Sequence, residues 1–285
     1  MGFKPFTLNI RGKIMSYDRP IVMGIVNVTP DSFYKGSRTT TDTSIHKRVE
    51  DMISHGADMI DLGAYSSRPG ADDVSPAEEV RRIESGMKAI REVSTDIVVS
   101  VDTFRATVAR EAVVTYGADI INDISGGNLD AEMWQTVARL KVPYILMHMR
   151  GTPSTMQSMT DYDDVTADVI LGLSRKLREL RLSGVADVIV DPGFGFSKTL
   201  EQNFEMMRNL NAFTKALDAP LLVGISRKSM ITKSLGITAD DALAGTIALN
   251  TIALSRGAAI LRVHDVAEAV AAVRMHQLST DPAKI

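Results

Sequence analysis

Short apolar runs alternate with helix-patterned stretches along the whole of this chain, and that alternation limits the fold more than any other feature. The runs are Ile21-Val22-Met23-Gly24-Ile25-Val26, Asp58-Met59-Ile60-Asp61-Leu62, Ile97-Val98-Val99-Ser100-Val101, Asp119-Ile120-Ile121, Pro143-Tyr144-Ile145-Leu146-Met147, Val188-Ile189-Val190, Leu221-Leu222-Val223-Gly224-Ile225 and Ala259-Ile260-Leu261. Nearly continuous apolar strands of this length belong to a parallel sheet covered on both faces. The intervening stretches carry apolar stripes at helical spacing, such as Ile45, Val49, Met52 and Ile53, or Val165, Val169, Leu173, Leu177 and Leu180. Eight strand–helix units in about 250 residues read as a (β/α)8 barrel, with a doubly wound open sheet as the second choice. The barrel is expected over residues 20–278, as one domain within residues 1–285. Residues 7–15 alternate around Arg11-Gly12 and read as a short N-terminal hairpin that plugs one end.

Local signals set the boundaries. Ser75-Pro76-Ala77-Glu78 reads as a capping box with proline at the first helical position, Thr103 as a helix cap, and one helix carries Leu200, Phe204, Met207 and Leu210. Gly-Ala-Asp before a strand occurs twice, at 56–58 and 117–119.

Composition narrows the classes. A chain of 285 residues at 45% hydrophobic content can bury a large core, and a formal charge of -3 gives no bias toward nucleic acid or membrane, so neither is an expected partner. The absence of cysteine excludes thiol catalysis, disulfides and zinc–thiolate sites. No run reaches transmembrane length, and Met1-Gly2-Phe3-Lys4-Pro5 lacks the apolar core of a signal peptide, so a cytoplasmic protein is expected.

In a (β/α)8 barrel the chemistry stands at the C-terminal ends of the strands. Those ends carry Asn27, Asp61, Asp102, Asn122, His148, Asp191, Ser226 with Lys228, and Arg262 with His264. Strand starts carry Asp58, Asp119 and Asp187, which read as structural groups of the opposite rim. Asp102, Asn122, Asp191 and Lys228 mix donors and acceptors and suit a planar heterocycle with N–H and C=O edges. Arg262 and His264, two residues apart before the last helix, suit a diphosphate. Asn27 offers a neutral oxygen for Mg²⁺. Asp191-Pro192-Gly193-Phe194-Gly195-Phe196 is a strand-end turn with two aromatics, read as exposed. Plainer readings stand beside these: His148 as a satisfied core histidine, Arg262 paired with Asp265, Asn122-Asp123 as an ordinary turn, and Trp134 as core. Rossmann, P-loop and nucleophile-elbow patterns fail, the first because Lys198 stands where its third glycine would be.

Met23-Gly24-Ile25-Val26-Asn27-Val28-Thr29-Pro30-Asp31-Ser32-Phe33 resembles the first signature of the dihydropteroate synthases, and Ser67-Arg68-Pro69-Gly70 their second. Ser100-Val101-Asp102-Thr103, Ile121-Asn122-Asp123-Ile124, Met147-His148-Met149, the Asp191 turn, Ser226-Arg227-Lys228-Ser229 and Arg262-Val263-His264-Asp265 are similar to further blocks of that family. The resemblance implies condensation of a dihydropterin methyl diphosphate with 4-aminobenzoate, giving dihydropteroate and pyrophosphate in folate synthesis. It implies that Asp102, Asn122, Met147, Asp191 and Lys228 hold the pterin. Asn27, Arg262, His264 and Mg²⁺ would hold the diphosphate, with Asn27 as the metal ligand. Ser67, Pro69, Phe196, Ser226 and Lys228 would border the aminobenzoate, while Phe33 and Arg68 sit on mobile loops. Asp102, Asp191, Lys228, Arg262 and His264 would be catalytic. It further implies a homodimer and a sulfonamide target. A pterin-binding methyltransferase barrel and a binding-only paralogue are the alternatives. Tyr34-Lys35-Gly36-Ser37, Ala64-Tyr65 and Ser67 depart from the family's usual residues.

Overall fold

The structure, a computed structural model, describes residues 3–28, 39–65 and 74–280, without the side chains of residues 39–43. Phe33, Ser67, Arg68, Pro69 and the departures at 34–37 lie outside the described residues. The chain opens with an antiparallel hairpin, β1 (Phe6–Ile10) and β2 (Lys13–Tyr17). Eight strands then follow: β3 (Ile21–Asn27), β4 (Met59–Gly63), β5 (Val98–Asp102), β6 (Ile120–Asp123), β7 (Tyr144–Met147), β8 (Val188–Asp191), β9 (Leu222–Val223) and β10 (Ile260–Val263). The helices are α1 (Thr39–Ser54), α2 (Pro76–Val93), α3 (Ala106–Val114), α4 (Met133–Leu140), α5 (Val165–Leu182), α6 (Leu200–Arg208), α7 (Leu210–Ala216), α8 (Ser229–Leu235), α9 (Leu243–Ser255) and α10 (Val266–Thr280).

Each barrel strand from β3 to β8 pairs in parallel with the next, and β10 pairs with both β3 and β9. A Val190–Leu221 bridge joins β8 to the start of β9 and closes the ring. The open doubly wound sheet is therefore ruled out. Strand period two divides the apolar residues into two sets. Outward residues such as Val22, Ile60, Val99, Ile121, Leu146 and Val190 pack under the helices. Inward residues Ile21, Met23, Met59, Val98, Ile120, Ile145, Ile189, Leu222 and Ile260 fill the lower barrel together with Leu8 and Ile10 of the hairpin.

The hairpin is the predicted plug. Its turn takes positive φ at Arg11 and Gly12 (52° and 75°), the backbone that a two-residue hairpin connection needs. The three strand-start aspartates tie it down. Asp119 accepts from Arg11 Nε at 2.6 Å and Nη2 at 2.9 Å, from Arg91 Nη2 at 3.2 Å and from the Val99 amide at 2.9 Å. Asp187 accepts from the Asn9 amide at 2.8 Å, and Asp58 from Arg19 at 2.5 and 3.1 Å and from the Val22 amide at 2.9 Å.

Four local expectations change. Ser75 caps α2 by accepting from the Glu78 amide, but the Glu78 carboxylate turns to Arg81 and Arg82, so the box is half made. Asp130, not Thr103, accepts from the Ala106 amide that opens α3, while Thr103 donates to buried Glu79 at 2.6 Å. The helix after β8 breaks at Asn209 into α6 and α7. Phe194 is fully buried in the core rather than exposed. Among the described residues no helix is long and apolar enough to cross a membrane.

Asp119 is the best probe of the plugged rim, since its side chain is nearly inaccessible and two guanidinium groups share it. Asp119→Ala leaves those cations and the Val99 amide unmatched, and urea unfolding is expected to show a loss of about 2–4 kcal/mol. Activity of the protein that stays folded should be unchanged, because the functional rim is at the other end of the strands.

Candidate functional site

Two residues beyond the apolar inward set, the same strand faces turn polar. Asp61 follows Met59, Asn122 follows Ile120, Asp191 follows Ile189 and Arg262 follows Ile260; Ser100 and then Asp102 follow Val98. The period that fills the lower barrel with hydrocarbon thus delivers the polar groups to one mouth.

Their charges are matched across the barrel. Arg262, on β10, donates from Nε to Asp61 Oδ2 at 2.6 Å and from Nη2 to Asp102 Oδ2 at 3.1 Å. Asn122 Nδ2 donates to the same Asp61 oxygen at 3.1 Å. The plainer pairing of Arg262 with Asp265 is overturned. Arg227 takes Asp265 instead, with Nε and Nη2 on its two oxygens at 3.0 and 2.6 Å. That fork holds a turn in which Arg227 itself adopts φ 56° and its amide donates to Thr246. Ser226 and Lys228 flank the turn.

Ser226 Oγ accepts from the His264 amide at 3.2 Å and lies 3.1 Å from His264 Nδ1. The hydroxyl thus holds the imidazole by its Nδ1 edge and leaves the Nε2 edge free of this contact. Burial, with Arg262 nearby, holds the His264 imidazole down to about 4, so it is neutral at pH 7.

On the far side, Asp191 ends β8, and its Oδ1 accepts from the Gly193 amide at 2.8 Å. Gly193 has φ 73°, and a Cβ there would stand 2.0 Å from the His148 carbonyl, so only glycine fits this turn. Lys228 Nζ donates to the Phe194 carbonyl at 2.6 Å and sits 4.7 Å over the Phe196 ring. Phe196 and Met147 pack with Met149, Met156, Ile124, Phe104 and Leu129 in a small apolar cluster beside the charges. Burial raises Asp191 against the pull of Lys228, and lowers Lys228 to about 8 against the pull of Asp191. Asp102 is raised to about 7 by burial and by Asp61, with Arg262 opposing.

Asn27 ends β3, partly exposed. A Cβ on neighbouring Gly63 would stand 2.7 Å from Asn27 Oδ1, so glycine leaves room for that amide. One neutral oxygen at an open mouth fits a hard cation that keeps water and phosphate oxygens as its other ligands. Among the described residues no group of three His, Cys, Asp or Glu is arranged for a metal.

Sequence reasoning assigns no role to Lys198, Arg227 or Asp61. Lys198 is buried, with Nζ on the Gly193 and Phe196 carbonyls at 3.0 and 2.9 Å and 3.2 Å from His148 Nδ1. It ties the turn that carries Phe196 to the end of β7, and His148 serves it as a core partner. Burial lowers Lys198 to about 7. Asp61 was legible only as one of the strand-end residues of the functional rim, Arg227 only as a charge just past an apolar run, and Lys198, seven residues beyond β8, gave no such signal. Tyr65, a departure from the resembled pattern, packs edge-on to Phe104, and the Arg105 guanidinium lies 5.2 and 5.1 Å from the two rings.

The sequence matches the profile of a family described as pterin binding enzyme over residues 23–264. It is 45% identical over 259 residues to the dihydropteroate synthase of Synechocystis sp., covering 90% of this chain and 88% of that protein. It is 40% identical over 267 residues to the Escherichia coli dihydropteroate synthase, covering 93% of each. The chain spans about half the length of two similar folate synthesis bifunctional proteins of Arabidopsis thaliana. The fold superposes on Xanthomonas albilineans dihydropteroate synthase with 4-aminobenzoic acid at a TM-score of 0.88 and 37% identity, covering 97% of this chain and 99% of that one. The Thermus thermophilus enzyme in complex with 6HMPPP superposes at 0.81 with 33% identity, covering 96% and 99%.

The raised carboxyl of Asp102 gives a test of the charge arrangement at this mouth of the barrel. A folded-state value near 7 against an unfolded value of 3.8 means that the folded chain holds the extra proton between those limits. The stability linked to that proton is complete below pH 3.8 and is lost as pH rises through 7. Asp102→Asn, which does not titrate, should melt above the wild type at pH 8, and the difference should shrink toward pH 5. Calorimetric melting of both proteins across that range checks the sign.

Proposed function

This chain belongs to the pterin-binding enzymes, among the dihydropteroate synthases, and we propose that its barrel mouth joins a dihydropterin methyl diphosphate to 4-aminobenzoate, releasing pyrophosphate. The observation that carries the reading is the cross-barrel set of Asp102, Asn122, Asp191, Lys228 and Arg262, in which buried and part-buried acids and cations from five strand ends meet at the same mouth of the barrel. The plant, bacterial and structural relatives above supply the family; the roles of individual residues are those that the resemblance of their motifs implies, and the geometry above is compatible with them.

Asp191 and Asp102 accept from the amino and ring N–H groups of the pterin, Asn122 reads its neighbouring edge, and Lys228 donates to a ring acceptor. Met147 supplies apolar surface for the flat ring. His264 presents the Nε2 edge of its imidazole and Arg262 its guanidinium to the diphosphate, beside the N-terminus of α10. Phe196, Ser226 and Lys228 line the place for aminobenzoate, where sulfonamides would compete. Ser67 and Pro69 would complete it, with Phe33 and Arg68 closing over the site.

An arylamine is a weak nucleophile, so the site must help the leaving group depart before the new bond forms. Departure leaves positive charge on the pterin methylene and its ring, next to Asp102 and Asp191, and adds negative charge beside Arg262 and His264. Groups fixed where charge develops stabilise that separation with little reorganisation. Mg²⁺ held at Asn27 would supply further neutralisation of the diphosphate when bound. The arylamine nitrogen then attacks the methylene and loses its proton to solvent. No covalent bond to the protein is required. A homodimer and a cytoplasmic location belong to the same reading; partly exposed Ile247, Leu249 and Ile252 on α9 support the former.

Pyrophosphate release with both substrates is the direct test, and a chain that binds the pterin diphosphate but releases none is a binding-only paralogue. Within an active protein, His264→Ala is expected to impair use of the diphosphate while leaving affinity for a pterin without diphosphate within about twofold. Arg262→Ala should weaken both, because its guanidinium also holds two acids of the pterin floor. Calorimetry should show aminobenzoate binding tightly only after pyrophosphate or pterin diphosphate is in place; tight binding to the free protein would exclude that order.

A further inference from the structure

Asp61 is fully buried at an inward position of β4, where most neighbouring strand positions below it carry hydrocarbon. One of its oxygens, Oδ2, takes both the Arg262 guanidinium at 2.6 Å and the Asn122 amide at 3.1 Å. Its other oxygen, Oδ1, is buried and has no hydrogen-bond partner among the described residues. Its register neighbour on β5, Ser100, also has a buried and unpartnered hydroxyl. A carboxylate kept for stability alone would have both oxygens satisfied, and replacing a buried ion pair with hydrocarbon often costs nothing. Asp61 is therefore held at a cost, at the point where the inferred pterin and diphosphate subsites meet.

The guanidinium shows what it is held for. Arg262 turns Nε and Nη2 toward the acids, and Nη1 donates to no group among the described residues. Asp61 and Asp102 both stand within ion-pair distance of the same Nη2, at 2.6 and 3.1 Å. When a pterin engages Asp102, the arginine keeps a charged partner only if Asp61 is present. Without Asp61, Arg262 would follow Asp102 into the place of the heterocycle, or swing out with the leaving group.

We propose that Asp61 is a positioning residue for the reaction, fixing Arg262 at the seam between heterocycle and diphosphate so that Asp102 is free to receive the pterin. This rests on the dihydropteroate synthase reading. Asp61 also contributes to the upward shift of Asp102, so its charge is reported by a second observable.

The experiment compares wild type, Asp61→Asn, Arg262→Ala and the double variant by pyrophosphate release, with both substrates varied over pH 5–9. Asp61→Asn is expected to lower kcat by about 10- to 100-fold, the scale of a misplaced catalytic group. The KM for aminobenzoate should stay within about twofold, a change well under 1 kcal/mol. The acid limb of kcat/KM should move to lower pH, because Asp102 loses its like-charged neighbour, and a merely structural role would not move it. The double variant should be no slower than Arg262→Ala. Wild-type kcat with an unmoved acid limb in Asp61→Asn, or losses that multiply in the double variant, overturns the proposal while leaving the family reading intact. A wild type that releases no pyrophosphate overturns the reading on which it rests, and the proposal with it. If Asp61→Asn does not fold, Asp61→Ser carries the same comparison, and normal kcat in that variant overturns the proposal equally.

Discussion

A guanidinium shared between two carboxylates inside a barrel is the interaction on which this site depends. Arg262 reaches across from the last strand to Asp61 on the second barrel strand and Asp102 on the third, with β3 between them in the sheet order. A guanidinium at that depth is costly without carboxylates beside it. Closure of the sheet makes the pairing available, since residues 61 and 262 meet only because β10 returns to β3. The result is a mouth that holds acidic and basic side chains a few ångströms apart, the arrangement that the proposed reaction requires. A reaction that separates charge between those two groups can use both without moving either.

The two rims of the barrel solve opposite problems. At the lower rim, Asp58 and Asp119 each take guanidinium groups and a strand amide, Asp187 takes the Asn9 amide, and the hairpin buries Leu8 and Ile10 over the open end. Each of the three aspartates there has its partner inside the chain. At the upper rim, Asp61 keeps an oxygen unmatched, Asp102 titrates near neutrality, and Lys198 and Lys228 are held below the ordinary lysine range by burial. Incomplete satisfaction of buried groups is costly, and a stable fold carries it where a ligand completes the network. The well-matched lower rim offsets that cost.

The turns that carry the site are strained in a consistent way. Gly193, Gly195 and Ser197 follow β8 with positive φ, and Arg227 does so after β9. Each is fixed by a buried charge outside the ligand contacts: Lys198 on two carbonyls of the first turn, Asp265 on Arg227 of the second. Phe196, Ser226 and Lys228 thereby stand on rigid supports although they lie in loops.

The sequence by itself determined the barrel, the hairpin plug and the assignment of acids to opposite rims. These depend on period two within strands, on the alternation of strand and helix, and on turn chemistry, which are local properties of consecutive residues. It also brought Asp102, Asn122, Asp191, Lys228, Arg262 and His264 to one end by their place after each apolar run. Partnership was not legible, because it depends on how the ring closes and which side chain reaches farthest across it. Arg262 was as well placed in sequence for Asp265 as for any other acid, yet tertiary structure gives it Asp61 and Asp102, from residues 201 and 160 positions away, and leaves Asp265 to Arg227. Phe194 was open to solvent by local pattern and became core because a glycine turn folds it under the barrel wall. Lys198 and Asp61 acquire a role only once burial removes water from them, and burial is a property of the packed barrel, not of the strand that carries the residue.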